Sequence, residues 1–166
     1  MNNHSLDDAG GRLAGPVGAL LAVLAVNVVG AAPATVAGPN TAWFAALEKP
    51  AIYPPSVTFA VVWTALFTLQ GVAVWLVVRG ATGRRRRVAV AVFGLQFLVN
   101  LAWTPTFFGL QWITGALAVA GLLVFSVAVT AWQFSRIDRR AGLLLVPYLL
   151  WAGFAAVITY RFLALN

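Results

Sequence analysis

The chain has 166 residues, of which 61% are hydrophobic and only 9% charged, with a net charge of +7 and a mean hydropathy of +0.89. A soluble domain carries roughly 25% charged residues, so this composition excludes a water-soluble globule and implies a compact all-α membrane protein. The absence of cysteine excludes disulfide frameworks and thiolate metal sites.

The first twelve residues form a polar tail that opens Met1-Asn2-Asn3-His4-Ser5-Leu6-Asp7-Asp8. Its acidic character does not fit the basic start of a secretory signal, so the tail is expected to be retained. His4, the only histidine, reads as a solvated tail residue. Four long uncharged stretches follow, one of them long enough to cross twice, and they predict a bundle of five transmembrane helices in a domain covering 13–166.

The first span is predicted over 13–32, with Pro16 in its first turn and Pro33 just past its end. Twenty helical residues rise about 30 Å, enough for one crossing. The second is predicted over 57–78, after an extended Pro54-Pro55 and a helix start at Ser56. From Val88 to Ser135 no residue carries a formal charge, and a helix of that length would reach about 72 Å, so the stretch must cross twice. The break is placed at Thr104-Pro105-Thr106 through Gly109, giving spans of 88–108 and 111–134 joined by a very tight turn. The fifth span, 141–160, contains Pro147, which is expected to bend it.

Charge placement carries the orientation. Arg12, Arg79, Arg84 to Arg87, Arg136, Arg139 and Arg140 fall on one side of such a bundle, and Lys49 and Arg161 on the other. The positive-inside rule then puts the N-terminus in the cytoplasm and the C-terminus outside. This distribution also accounts for the basic excess without nucleic acid as a partner. Arg84 to Arg87 read either as a topology determinant or as a site for lipid headgroups or a partner.

Within the predicted spans no acidic or basic residue occurs, which argues against a proton-coupled carrier or an ion pump. The polar residues there are amides and hydroxyls, among them Asn27, Thr64, Thr68, Gln70, Gln96 and Asn100. Interhelical hydrogen bonding is one account of them. Gln96 and Asn100, however, share a helix face that continues through Trp103 and Phe107. Of the seven tryptophans, Trp43, Trp75, Trp103, Trp112 and Trp132 fall near span ends and fit belt anchors. Trp63 and Trp151 lie deeper, the first sharing a face with Phe67, Gln70 and Val74, the second with Tyr148, Ala155 and Thr159. If these faces meet the Gln96/Asn100 stripe, the result is an aromatic cavity with a few hydrogen-bonding groups. Ordinary bundle packing is the alternative.

Read in order, Trp43-Phe44 through Leu47-Glu48-Lys49-Pro50, Pro54-Pro55, Val62-Trp63-Thr64, Gln96 and Val99-Asn100 through Trp103 to Phe107-Phe108-Gly109, and Leu144 to Leu149 through Trp151 and Phe154-Ala155 resemble the TspO/MBR family. These are the tryptophan-rich sensory proteins and the translocator, or peripheral benzodiazepine receptor, proteins. The resemblance implies a five-helix bundle, commonly a homodimer, that binds porphyrin or haem as ligand and in some members sterols or synthetic compounds. It places Trp63, Asn100, Trp103, Trp151 and Ala155 in the pocket, and the helix faces above add Phe67, Gln96, Phe107 and Tyr148 as ligand-binding residues. Trp43, Pro50, Pro54 and Pro55 would shape a lid. Trp63 and Trp151 also match the tryptophans implicated in light-dependent porphyrin degradation.

Departures from the family pattern fall at Ile52, Ala60-Val61 and Ile158-Thr159. The sterol pattern needs a residue between its tyrosine and its basic residue, but Tyr160 abuts Arg161, which argues against specific cholesterol binding. With no Cys, Met1 as the only Met and His4 in the tail, tyrosine is left as the ordinary haem-iron ligand in the bundle, and no metal site is expected. No nucleophile–base arrangement or carboxylate pair supports conventional catalysis, and no cofactor is required. Three functions stay open: a tetrapyrrole sensor, scavenger or carrier; a light-dependent porphyrin-modifying enzyme; and a ligand-free scaffold. Small-residue pairs such as Gly11/Gly15 and Ala116/Ala120 are candidate dimer contacts.

Overall fold

The computed structural model describes residues 15–166. The 1–12 tail, His4, Arg12, Gly11 and Leu13 at the start of the first span lie outside the described residues. The described chain is helical, in seven α-helices: α1 Pro16–Ala31, α2 Ala42–Ala46, α3 Ser56–Gly80, α4 Gly83–Thr104, α5 Ile113–Ser135, α6 Arg139–Leu144 and α7 Val146–Leu165. A 3₁₀ turn at Ala32–Thr35 extends α1 and a π-helical turn at Pro105–Gly109 extends α4. Together these give five segments long and apolar enough to span a bilayer, with exposed Val17, Leu20, Leu24, Leu98, Phe125 and Leu150 on their outer faces. In a bilayer those side chains meet lipid, so their exposure carries no hydrophobic cost.

The helices begin and end where local chemistry allows. Pro16 occupies the first turn of α1 and Pro55 stands immediately before α3, positions at which the missing N–H is not needed. Helix α4 starts at Gly83, earlier than the predicted 88, because Arg84 to Arg87 form its first exposed turn. Arginine is a good helix former, and at a membrane edge its long stem lets the head reach water, so charge marks the limit of the hydrocarbon rather than of the helix. Correspondingly, α7 runs on past Tyr160 to Leu165.

The two interior prolines act differently. Pro105 leads into the π-helical turn, where Leu110 N–H bonds Pro105 O at 2.8 Å and Trp112 N–H bonds Thr106 O at 3.2 Å. The tight turn then closes with Gln111 at φ 55°, a left-handed conformation uncommon for a side chain of this kind. Pro147 does not bend a continuous helix. The chain breaks at Leu145 between α6 and α7, and Pro147 falls in the first turn of α7, where its ring displaces no helical hydrogen bond.

Packing is tightest where side chains vanish. A Cβ on Gly71 of α3 would stand 2.5 Å from Val23 Cα of α1, and one on Gly142 of α6 would stand 2.8 Å from Ala131 O of α5. Helices α1 and α3 are also tied by Asn27 Nδ2 donating to Thr68 Oγ1 at 3.2 Å. Helix α5 packs against α4 and α7, and α6 leans on α3. Ala116 and Ala120 are fully buried within the chain and serve this internal packing. The core divides into a layer around Phe67, Phe93, Phe97, Phe134 and Tyr148 and a second around Phe44, Phe107, Ile158 and Phe162.

Candidate functional site

Between α1, α3, α4, α5 and α7 lies a cavity of about 480 Å³, lined by 20 residues, a volume within the range of small-molecule sites. Trp63, Phe67, Asn100, Trp103, Trp151 and Ala155 all face it. A second compartment of about 200 Å³ shares Trp63, Trp103 and Ala155 with the first and continues under the loop after α1, against Phe44, Tyr53, Phe107, Phe108 and Phe162. The two compartments form one bent, aromatic-walled slot.

Each wall follows from helix periodicity. Trp63 and Phe67, four apart on α3, lie 5.3 Å centroid to centroid, and Trp103 and Phe107, four apart on α4, stack at 5.1 Å with planes 13° apart. On α7, Trp151 meets Phe59 of α3 edge-on at 5.9 Å. Gly30 of α1 permits the remaining wall, since a Cβ there would stand 2.6 Å from the Phe67 ring.

The polar lining is neutral: Asn27, Ser56, Thr64, Asn100 and Thr104. Thr64 hydroxyl donates to Ala60 O at 2.8 Å, whereas the indole N–H groups of Trp103 and Trp151 are buried without a protein partner. Gln96 and Tyr148 do not line the slot. They stand behind Asn100, fully buried, with Gln96 Nε2 donating to the Tyr148 hydroxyl at 2.8 Å, and Tyr148 packs edge-on against Trp63 at 6.0 Å. Their role is to hold the wall: the buried amide–phenol hydrogen bond fixes both rotamers, while Gln96 Oε1 has no protein partner.

The residues expected as a lid sit beside the mouth. Trp43 packs edge-on against Phe107 at 5.6 Å, buried Pro50 accepts the Tyr53 N–H at 2.8 Å, Pro54 is half-buried, and Pro55 precedes α3. The cover over the cavities comes instead from Pro33, Ala34, Ala37, Gly38 and Pro39. That segment belongs to the connection after α1, which the family resemblance implies as the cap; it carries no aromatic residue, and Pro33, Gly38 and Pro39 confine it to turns. Asn27, Phe59 and Thr104 were likewise legible only as span residues. The loop is fastened from both sides, with Glu48 N–H donating to Asn166 Oδ1 at 2.9 Å, and Lys49 Nζ donating to Phe44 O at 3.3 Å while standing 5.0 Å over the Phe44 ring. Burial pushes the Tyr53 hydroxyl above its ordinary pKa.

Among the described residues no group of three or more His, Cys, Asp or Glu is placed to hold a metal ion. The second compartment is lined by one tyrosine, Tyr53; Tyr148 is committed to Gln96 and Tyr160 is exposed.

Fold and site together define a multi-pass helical membrane protein built around an aromatic-walled slot. A model of the TspO/MBR family matches residues 19–165. The chain is 37% identical over 142 residues to the tryptophan-rich protein TspO of Chlorobaculum tepidum, covering 83% of this chain and 89% of that protein. It is 37% identical to the tryptophan-rich sensory protein of Cereibacter sphaeroides, covering 75% and 77%, and 33% identical to the translocator protein of Homo sapiens, covering 75% of each. The chain belongs to the TspO/MBR family.

Proposed function

We propose that this protein binds tetrapyrroles, and other flat apolar ligands, in the aromatic slot, acting as a sensor, scavenger or carrier. The observation that carries this reading is the convergence of Trp63, Trp103 and Trp151 from three helices on one cavity of about 480 Å³. A porphyrin is a broad aromatic plate, and indoles offer it large stacking area at low entropic cost. Asn27, Asn100 and the free indole N–H groups supply a few orienting hydrogen bonds. Among the described residues no Lys, Arg, Asp or Glu lines either compartment, so the acidic arms of a porphyrin belong at the mouth, since a carboxylate in such a wall would be desolvated without a counter-ion. Haem iron, if it meets a protein ligand at all, meets Tyr53, and a low-spin bis-ligated spectrum would contradict this arrangement.

The test is quenching of tryptophan fluorescence by protoporphyrin in detergent. Saturable quenching is expected, weakened on the order of tenfold by Trp63→Ala and by Asn100→Ala. A titration unchanged by both substitutions rejects the site, and the absence of saturable quenching favours a ligand-free scaffold.

A light-dependent reading rests on Trp63 and Trp151 facing the same cavity, where a photo-excited porphyrin and dioxygen would meet an indole. Equal pigment loss under light for wild type and a Trp63→Phe, Trp151→Phe double mutant argues against it. The arginine-bearing end is assigned to the cytoplasm on the positive-inside rule. A homodimer, proposed on family grounds, would use an outer helix face, because Ala116 and Ala120 are occupied inside the chain.

A further inference from the structure

The end of the bundle opposite the slot carries Arg79, Arg84 to Arg87, Arg136, Arg139 and Arg140, all exposed. We propose that this surface is a binding site for the phosphate headgroups of anionic phospholipids, not merely a topology signal. Three features distinguish it from basic residues scattered along loops.

First, the two arginine-bearing connections lie side by side: the Arg85 guanidinium reaches Arg136 O at the end of α5, so the arginines of the α3/α4 and α5/α6 turns face one common surface. Second, the guanidinium groups at its rim are held at membrane level. Arg79 lies 4.6 Å from the Trp75 ring and Arg136 5.9 Å from the Trp132 ring, and Trp132 is 60% exposed. An indole at the interface belongs to the headgroup layer, so a cation stacked on it is held where lipid phosphates lie.

Third, among the described residues the charge gathered here is largely unneutralised. Asp138 is the one acidic side chain of this end among them, and its carboxylate accepts the Arg140 N–H at 2.8 Å as the cap of α6. Arg84 to Arg87 moreover occupy the first turn of α4, where the helix dipole already places positive charge. Like charges gathered on one end of the bundle repel one another, and an anionic surface offsets that repulsion.

The test uses the full chain reconstituted into vesicles of phosphatidylcholine containing brominated phosphatidylglycerol or, in parallel, brominated phosphatidylcholine at equal mole fraction. The readout is the quenching lost on Trp132→Phe, which isolates the arginine end. A preference for phosphatidylglycerol of roughly fivefold is expected, since an arginine near an anionic leaflet contributes about that factor. It should fall to near unity in Arg84→Gln, Arg86→Gln, Arg87→Gln, which leaves the Arg85 contact intact, and shrink in high salt. The matching triple lysine variant should keep it. Equal quenching by the two lipids in wild type overturns the proposal, as does a preference that survives the triple glutamine change. Abolition of the preference by inorganic phosphate, but not by chloride at equal ionic strength, would assign the surface to a free anion instead. Should the glutamine variant fail to fold, the salt series on the wild type decides alone.

Discussion

The two ends of the bundle solve opposite problems with the same helices. At the slot end, α3, α4 and α7 stand apart and bulky rings line the gap, with Trp63, Trp103 and Trp151 around a cavity. At the arginine end, helices close on one another through glycine and small residues, as where Gly142 of α6 meets Ala131 O and Ser135 of α5. The break at Leu145 separates the regimes on the last span: α6 leans on α3, and α7 is freed to take another path. In a bilayer, lipid tails are as apolar as the side chains, so helices associate through close packing and hydrogen bonds rather than water expulsion. A cavity at one end therefore has to be offset by unusually close contact at the other, and this molecule divides its length accordingly.

That division is open to direct attack. Gly71→Val is expected to have the largest effect, because its Cβ would stand 2.5 Å from the Val23 backbone and neither helix can yield locally. A loss of about 3 kcal/mol or more is expected, seen as a much lowered midpoint in a detergent thermal melt. A melt unchanged by Gly71→Val would show that α1 contributes little to holding the bundle.

Gly30→Ala probes the same helix pair at the cavity. Here the added methyl meets the Phe67 ring at 2.6 Å, and the ring can turn into the slot. A modest stability cost of about 1 to 2 kcal/mol is expected, together with a clear weakening of porphyrin quenching. If ligand binding is unaffected while stability falls, Phe67 is packing and not a wall of the site.

Gln70 sharpens the contrast from the inside. It is fully buried below Phe67 on α3, and both its amide atoms lack a protein partner. Gln70→Leu should raise stability by about 1 kcal/mol, since an unpaired buried amide costs more than it returns. A lowered melting midpoint would mean that the amide is satisfied by bound water.

The smallest expected effect is one of pH. Because burial raises the pKa of Tyr53, the folded state holds that proton more tightly than the unfolded chain. Its contribution to stability is therefore fully present below about pH 10 and is lost as pH rises through the raised value. Thermal melts should be insensitive to Tyr53→Phe at pH 7 and diverge from wild type only in strongly alkaline buffer, with the variant then the more stable.

Much of this protein was legible in its sequence. Uncharged stretches bounded by charge, together with the length of 88–135, located all five spans, because burying charge in hydrocarbon is costly wherever the chain folds. Helical spacing alone put Trp63 with Phe67 and Trp103 with Phe107, since neighbours at i and i+4 share a face in any helix. The limits of that reasoning lay at helix ends and between helices. Arg84 to Arg87 looked like a loop but form the first turn of α4, because an arginine run tolerates helix as readily as water does arginine. Gln96, Asn100, Trp103 and Phe107 lie on one stripe, yet only Asn100 and Trp103 face the larger compartment. Phe107 closes the smaller one and Gln96 turns to Tyr148. Which residue of a stripe meets a cavity depends on how far its partner helix stands off. That was set by the break at Leu145, by the absent side chains of Gly30 and Gly71, and by the loop from Pro33 to Pro39. Periodicity fixes direction around one axis, whereas the distance between two axes is a property of both surfaces at once.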